Sequence, residues 1–309
     1  MILAVFDLRT VEQLTANGII NGTFYGLLGV GFALILGVTG RFHYAYGIVY
    51  TFAAYMIFTF HERVGIPLWP AVALGVLLAT MVGVAMEAGV YRPLANHAGA
   101  NALLAIFVAS LGFGIAGENL IRLFWSSASQ ALTGIDQKPI TNGQAIYLNL
   151  DVYQVISAVV LVTTLTLLLR YTPLGRAIKA TRSNPEMARI IGINPASIYV
   201  VCFAIGTFFA SVAAFWYGLK FTIEPAMGFT PVIFAFVVAF LAGTASSPAR
   251  VFLTGIAVSM VEQYSSIWLS ARWTQTAVFV ILLIYLIWRS VDLPRLRARL
   301  RVSRAFAKG

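Results

Sequence analysis

The sequence predicts an all-α fold, a polytopic transmembrane helix bundle of about eight or nine spans with one short polar docking helix. Three observations predict it. Hydrophobic residues fill 60% of the 309 positions and charged residues only 10%, against about 25% charged in ordinary globular domains. That composition cannot supply a wet surface around a core. Apolar runs near the ~20 residues needed to cross a bilayer recur along the whole chain, at about 17–38, 44–60, 68–90, 101–124, 152–169, 196–219, 229–247, 251–268 and 273–288. Each run is continuously apolar, whereas the strands of a membrane barrel alternate over about ten residues. Helices follow, because in lipid each backbone polar group must be satisfied within its own segment.

The first dozen residues, with Asp7, Arg9 and Glu12, lack the basic and apolar regions of a cleaved signal peptide. The first span is therefore expected to be its own insertion signal. It carries Gly18, Gly22 and Gly26, spaced by four, then Gly29, Gly31, Gly37 and Gly40. Such spacing leaves one helix face nearly flat, which suits close packing and also suits a moving interface. Asn21 and Tyr25, two of the polar groups of this span, are candidate pathway residues.

A polar-aromatic break, TGRFHYAYG at 39–47, separates the first two runs and contributes Thr39, His43 and Tyr46 as further candidates. Two readings of His43 stay open here. It is an interfacial histidine among belt tyrosines, or it belongs to a bent segment near a solute pathway. Glu87, with Arg92 close behind, reads as interfacial. Glu118 is the deepest acid; Arg122 follows four residues later, so an ion pair on one helix face competes with substrate contact.

The connection 125–150 holds Asn142-Gly143 between PIT and QAIY, a two-residue hairpin signal. The stretch RYTPLGRAIKATRSNPEMARIIGIN (170–194) then interrupts the apolar pattern with basic and polar residues. Asn184 suits an N-cap, Pro185 the first helical position, and Glu186 the positive end of the dipole. Gly192 suits the C′ position, and Asn194-Pro195 repeats the start signal. A preformed short helix between two spans is expected, either in an ordinary solvated loop or as a docking element for a soluble partner.

If this loop faces the cytoplasm, alternation places Arg41, Arg92, Arg250 and the tail there too, the tail carrying Arg289, Arg295, Arg297, Arg299, Arg301, Arg304 and Lys308. Fifteen of the 21 Lys and Arg then lie inside, so the positive-inside rule predicts an outside N-terminus and an inside C-terminus. Residues 1–290 read as a single membrane domain and 291–309 as a basic cytoplasmic tail on anionic headgroups. The net charge of +10 is thus topology, not a nucleic-acid footprint.

The missing chemistry narrows function. No Gly-Lys dipeptide exists, so no phosphate loop of the GxxxxGK[ST] kind is present. His43, His61 and His97 are scattered without an HExxH pattern, no G-x-S-x-G elbow occurs, and Cys202 is the only cysteine. No catalytic group, metal site or resident cofactor is expected.

Four stretches, in order, carry a family likeness: NGIINGTFYGLLGVGFALILGVTG (17–40), EAGVYRPL (87–94), TPLGRAIKATRSNPEMARIIGIN (172–194) and PAMGF (225–229). Together they resemble the permease family of bacterial ABC importers for branched-chain amino acids, over roughly residues 14–290. The resemblance implies that the 172–194 loop is the cytoplasmic coupling loop, seated in a groove of a separate ATPase subunit that binds the ATP. By position, Gly175, Arg176, Ala180, Asn184, Pro185, Glu186, Ala188 and Gly192 would form the coupling element. It also implies a second, related permease subunit, a periplasmic solute-binding protein and the bacterial cytoplasmic membrane.

Two segments depart from the family. Its N-F-A-H-G appears as His43-Tyr44-Ala45-Tyr46-Gly47, and its G-G-x-G-S-I-P-G turn as the eight residues 242–249. The expected function is therefore an importer permease for a small organic solute, a branched-chain or related amino acid first. Urea, an amide or an organic acid is the alternative solute, and an ion-coupled secondary carrier the alternative mechanism.

Overall fold

The computed structural model describes residues 8–290 except residue 144; the basic tail 291–309 lies outside the described residues. The chain is a bundle of helices with one small hairpin. Helix α1 (Leu8–Thr39) leads to α2 (Tyr46–Phe58), whose last turn widens into a π-helix, Thr59–Arg63. Helix α3 (Leu68–Met86) runs through a π-segment, Glu87–Tyr91, into α4 (Arg92–His97). The wide turn sits just ahead of Pro93, which lacks an N–H and crowds the carbonyl one turn back, so the helix continues past a proline that would otherwise break it.

Helix α5 (Ala102–Trp125) precedes the hairpin β1 (Pro139–Asn142) and β2 (Ala145–Leu148), then α6 (Asn149–Tyr171). Two short helices follow, α7 (Pro173–Ser183) and α8 (Pro185–Ile190), before α9 (Pro195–Lys220). The chain closes with α10 (Phe229–Ala242), α11 (Pro248–Ser265) and α12 (Ala271–Ser290).

All nine apolar runs fall on helices, and the all-α polytopic class holds. Among the described residues, five helical segments are long and apolar enough by themselves to cross a bilayer: Arg9–Thr39, Leu68–His97, Ala102–Trp125, Asn149–Tyr171 and Pro195–Lys220. The other four runs lie on α2, α10, α11 and α12. Helix boundaries differ from the apolar runs because hydropathy marks bilayer depth, not the end of backbone hydrogen bonding. Helix α1 starts nine residues before its run, where the polar turn bonds across the bundle: the Ile146 N–H donates to Gln13 Oε1 (2.8 Å), and Thr15 Oγ1 lies 2.7 Å from the Tyr264 hydroxyl. The run 229–247 stops at Ala242, since Gly243 has φ +84° and turns the chain toward Pro248.

The hairpin is present but shifted by one residue. Strand pairing reaches Asn142↔Ala145, and Gly143 turns the chain between them at φ +64°. The connection before it is not a free solvated strand. Gln130 and Ile223 exchange backbone hydrogen bonds (2.8 and 2.9 Å), and Gln137 donates to the Leu219 carbonyl (2.7 Å). That folds the connection over the end of α9.

Core packing follows the glycines. A Cβ on Gly18 would meet Met260, one on Gly22 would lie 2.5 Å from the Ile256 backbone, and one on Gly26 would meet Phe252. Both helices present residues spaced by four, so α1 and α11 interlock with α1 almost bare. Close packing is what the glycine stripe does here. The burial of Leu28, Phe32, Ile35, Phe203, Phe234 and Val238 then places the core around α1, α9 and α10. Cys202 is buried as a small hydrophobe.

Candidate functional site

The polar loop between α6 and α9 is built as local sequence dictates. Thr172 caps α7 by accepting from the Gly175 N–H (3.1 Å). Asn184 Oδ1 accepts from both Glu186 N–H (3.0 Å) and Met187 N–H (3.1 Å), so two orphan donors of α8 are satisfied by one side chain. At the far end Ile193 N–H donates to Ala188 O (2.9 Å) and Gly192 N–H to Arg189 O (3.0 Å). These two bonds are the Schellman pair, and they require the left-handed φ of +85° that Gly192 adopts. Asn194 caps α9 through the Ala196 N–H (3.1 Å).

The short helix expected from the sequence is therefore α8, but α7 is a second helix that the sequence reading did not separate. Its signal was Thr172-Pro173, the same cap-then-proline pair as at 184–185. Among the loop residues, Gly175 and Ala188 are buried, and Pro185 is half-buried. Gly175 is where α7 touches the end of α6, a Cβ there meeting the backbone of Leu168 and Leu169. Arg176, Asn184 and Glu186 are exposed, and Ala180 is half-exposed. Glu186 pairs with Arg189 at 3.4 Å. Met187, Ile190 and Ile191 stand 61–77% exposed around them, an apolar tip on a rigid polar base.

Two cavities open at opposite ends of α1. One, of about 460 Å³, lies at the hairpin end. Asn21, Tyr25, Gln154, Tyr217, Lys220 and Glu224 supply its polar lining. Gln154 donates to the Ile20 carbonyl (2.9 Å), and Lys220 Nζ lies 2.6 Å from Asp151 Oδ1. Tyr25 stacks flat on Phe234, their centroids 4.1 Å apart. Of the candidate pathway residues, this cavity brings together Asn21 and Tyr25. Gln154, Tyr217, Lys220 and Glu224 escaped the sequence reading because they sit at helix ends, where a polar residue looks like ordinary membrane-edge chemistry.

The second cavity, of about 500 Å³, lies at the end that carries the 172–194 loop, between α1, α6, α7 and the 244–248 turn.

The remaining candidates are elsewhere. Thr39 bonds back to the Ile35 carbonyl (2.8 Å) at the end of α1. Glu118 is paired with Arg122 on the same helix face and edges a small cleft beside Tyr44 and Phe229. His43 is fully buried within the bundle, with Nδ1 2.9 Å from the Tyr91 hydroxyl and its ring against Phe203. Tyr46 is buried too, donating to the carbonyls of Leu28 (3.1 Å) and Gly206 (3.2 Å). Neither lines the two cavities at the ends of α1. The break therefore holds the core together.

Glu87 is packed inside the bundle as well. It is fully buried and ion-paired with Arg41, whose guanidinium also rests 5.1 Å from the Tyr199 ring centroid. An alternation of hydropathy cannot reveal such a pair, because its two halves are 46 residues apart. No cluster of three or more metal-ligating side chains occurs among the described residues.

Residues 14–287 match the family described as branched-chain amino acid transport system / permease component. The chain is 28% identical to the high-affinity branched-chain amino acid transport system permease protein LivH of Escherichia coli (strain K12), over 88% of this chain and 91% of the relative. It is 27% identical to BraD, a permease protein of the same description from Pseudomonas aeruginosa, over 90% and 93%. Similarity to LivM of Escherichia coli is 24%, over 92% of this chain and 71% of the relative. No solved structure matches the chain.

Proposed function

The chain belongs to the permease family of branched-chain amino acid transport systems, and from that membership we propose that it is the membrane subunit of an ATP-driven importer for a branched-chain or related amino acid. The observation that carries this reading is the docking loop. A helix of six residues is too short to hold itself together in water, yet α8 is closed at both ends by specific caps and displays an apolar tip. A surface so built is suited to pushing on a rigid partner, and a separate ATPase subunit is that partner. ATP would bind there, so this chain needs no nucleotide site and no catalytic residue.

The hairpin-end cavity supports the solute class. It presents an anion, Glu224, the amides of Asn21 and Gln154, and Lys220, whose ammonium is shared with Asp151. A zwitterion with a compact side chain fits both signs of charge, and the cavity volume falls within the usual range of about 300–1,000 Å³ for small-molecule sites. Asn21 and Tyr25 belong to the pathway in this reading. Thr39, His43 and Tyr46 act by positioning helices, and Glu118 stays with Arg122 at the edge of the small cleft beside Tyr44.

Similarity to both LivH and LivM, two permease proteins of one organism's high-affinity system, supports that related second subunit. A solute-binding protein outside completes the assembly. The membrane is the bacterial cytoplasmic membrane, the N-terminus outside, and residues 291–309 an inside tail. Alternating access then follows from ATP shifting the population of two packings of the permease pair.

The test is uptake by reconstituted vesicles holding the chain together with an ATPase subunit and a second permease subunit of such a system. Leucine uptake that requires ATP inside supports the reading. Uptake driven by a sodium or proton gradient without ATP overturns it, and saturation by urea but not leucine overturns the solute.

A further inference from the structure

We propose that the cavity at the docking-loop end is a binding site for an anionic phospholipid, the headgroup phosphate held by Arg170, Lys179 and Arg182. All three line the same cavity of about 500 Å³, one from the end of α6 and two from successive turns of α7. Its lining includes no Asp or Glu. Among the described residues, no ion pair engages any of the three cations. The site is therefore a concentrated positive charge with no internal counter-ion.

The rest of the lining says what kind of anion belongs there. Below the cations the wall is hydrocarbon: Val30, Ala33, Leu34, Val38, Leu165 and Leu169. A free phosphate would leave that slot filled with water against apolar side chains, whereas an acyl chain fills it. Basic pockets between membrane helices favour anionic headgroups for this reason. Hydroxyls of Thr244, Ser246 and Ser247 complete the rim, and the N-terminus of α11 opens beside them, where oriented N–H groups add to the positive potential.

The arrangement has a mechanical consequence. The lipid would bridge α6, α7 and the 244–248 turn, the elements around the base of the docking loop. Its occupancy would fix the angle at which α8 is presented. The site does not depend on which solute the chain carries.

The test uses native mass spectrometry of the purified full-length chain, with phosphatidylglycerol, phosphatidylcholine or inorganic phosphate added in turn. The expected result is retention of phosphatidylglycerol at least tenfold above phosphatidylcholine, with no phosphate adduct at equal concentration. The R170Q/K179Q/R182Q triple variant is expected to lose that preference, as are the single variants in part. R63Q/R92Q, which removes charge away from the cavity, is expected to keep it. Equal retention of the two lipids overturns the proposal, and so does full retention by the triple variant. A stable adduct of phosphate alone overturns the lipid as occupant. Should the triple variant fail to fold, the single variants and the competition between lipids on the unaltered chain still decide.

Discussion

The Arg41 guanidinium donates to the Glu87 carboxylate across the α1–α2 break, with both side chains no more than 7% exposed. Around this pair the break is tied to three other elements. His43 meets Tyr91 at the end of the π-segment, the Ala45 N–H donates to Ser110 of α5 (2.9 Å), and Arg41 lies over Tyr199 near the start of α9. Helix α9 begins directly after the docking loop, so the break and the loop share one rigid neighbour.

Removing one partner of such a pair leaves a charge in the core without compensation. Arg41→Gln or Glu87→Gln is expected to cost about 3–5 kcal/mol, the usual penalty for breaking a buried pair. The joint change R41Q/E87Q is expected to recover much of it, because no naked charge remains. Thermal unfolding of the three variants in one detergent measures this. Additive losses in the double variant would show that the two side chains do not interact.

The α1–α11 contact is expected to be intolerant of a single methyl. At Gly22 an added Cβ meets backbone of Ile256, which cannot rotate away; overpacking of this kind costs roughly 1–3 kcal/mol. Gly112 of α5 has nothing within 4 Å of the corresponding position. There Gly→Ala is expected to be neutral or to stabilise by about 0.5–1 kcal/mol through helix propensity. Comparing the melting temperatures of G22A and G112A checks the contrast, and a stable G22A would remove close packing as the reason for the stripe.

Glu62 at the hairpin end is expected to act as an acid-sensitive clasp. The Thr133 hydroxyl (2.7 Å) and N–H (2.8 Å) both donate to its Oε1. These hydrogen bonds, the hydroxyl's first, hold its pKa below the ordinary carboxylate value. A depressed pKa in the folded state means the tether is complete above the usual carboxylate range and is lost as pH falls through the lowered value. Thr133→Val removes only the hydroxyl donor, so the pKa is expected to rise partway back. A carboxyl-carbon NMR titration of both proteins reads it, and an unchanged midpoint would rule out the hydroxyl as the cause.

How much of this was legible in the sequence depends on whether the determining partners are near in the chain. The caps at Asn184 and Asn194 and the stop at Gly192 are local chemistry, and the structure forms them where the residues stand. The glycine stripe announced a close approach, though not that α11 would supply it. Arg41 with Glu87, and Gln154 with the Ile20 carbonyl, join residues far apart, and Arg41, Glu87 or Gln154 alone looks like a membrane-edge residue. The π-segment at 87–91 has no pattern of its own; only Pro93 hints at it. At His43 the sequence left two readings open, because burial among Tyr46, Tyr91 and Phe203 is a property of the packed bundle.

The docking helix yields the most discriminating prediction, because its two ends fail differently. Asn184→Ala strips the cap from two N–H groups and is expected to cost about 1 kcal/mol of α8. If the ATPase subunit binds the folded helix, that loss appears as a roughly fivefold weaker affinity. Asn184→Asp keeps the acceptor and is expected to restore it. Gly192→Ala forces a side chain into the left-handed region at φ +85°, at roughly 1–2 kcal/mol, and Gly192→Asn is expected to cost less. Affinity of each variant for the co-purified ATPase subunit, measured at constant expression, ranks them. The expected order is unaltered chain and N184D first, then G192N, N184A and G192A. An ATPase that binds all five alike would show that α8 is not the contact, whatever the chain transports.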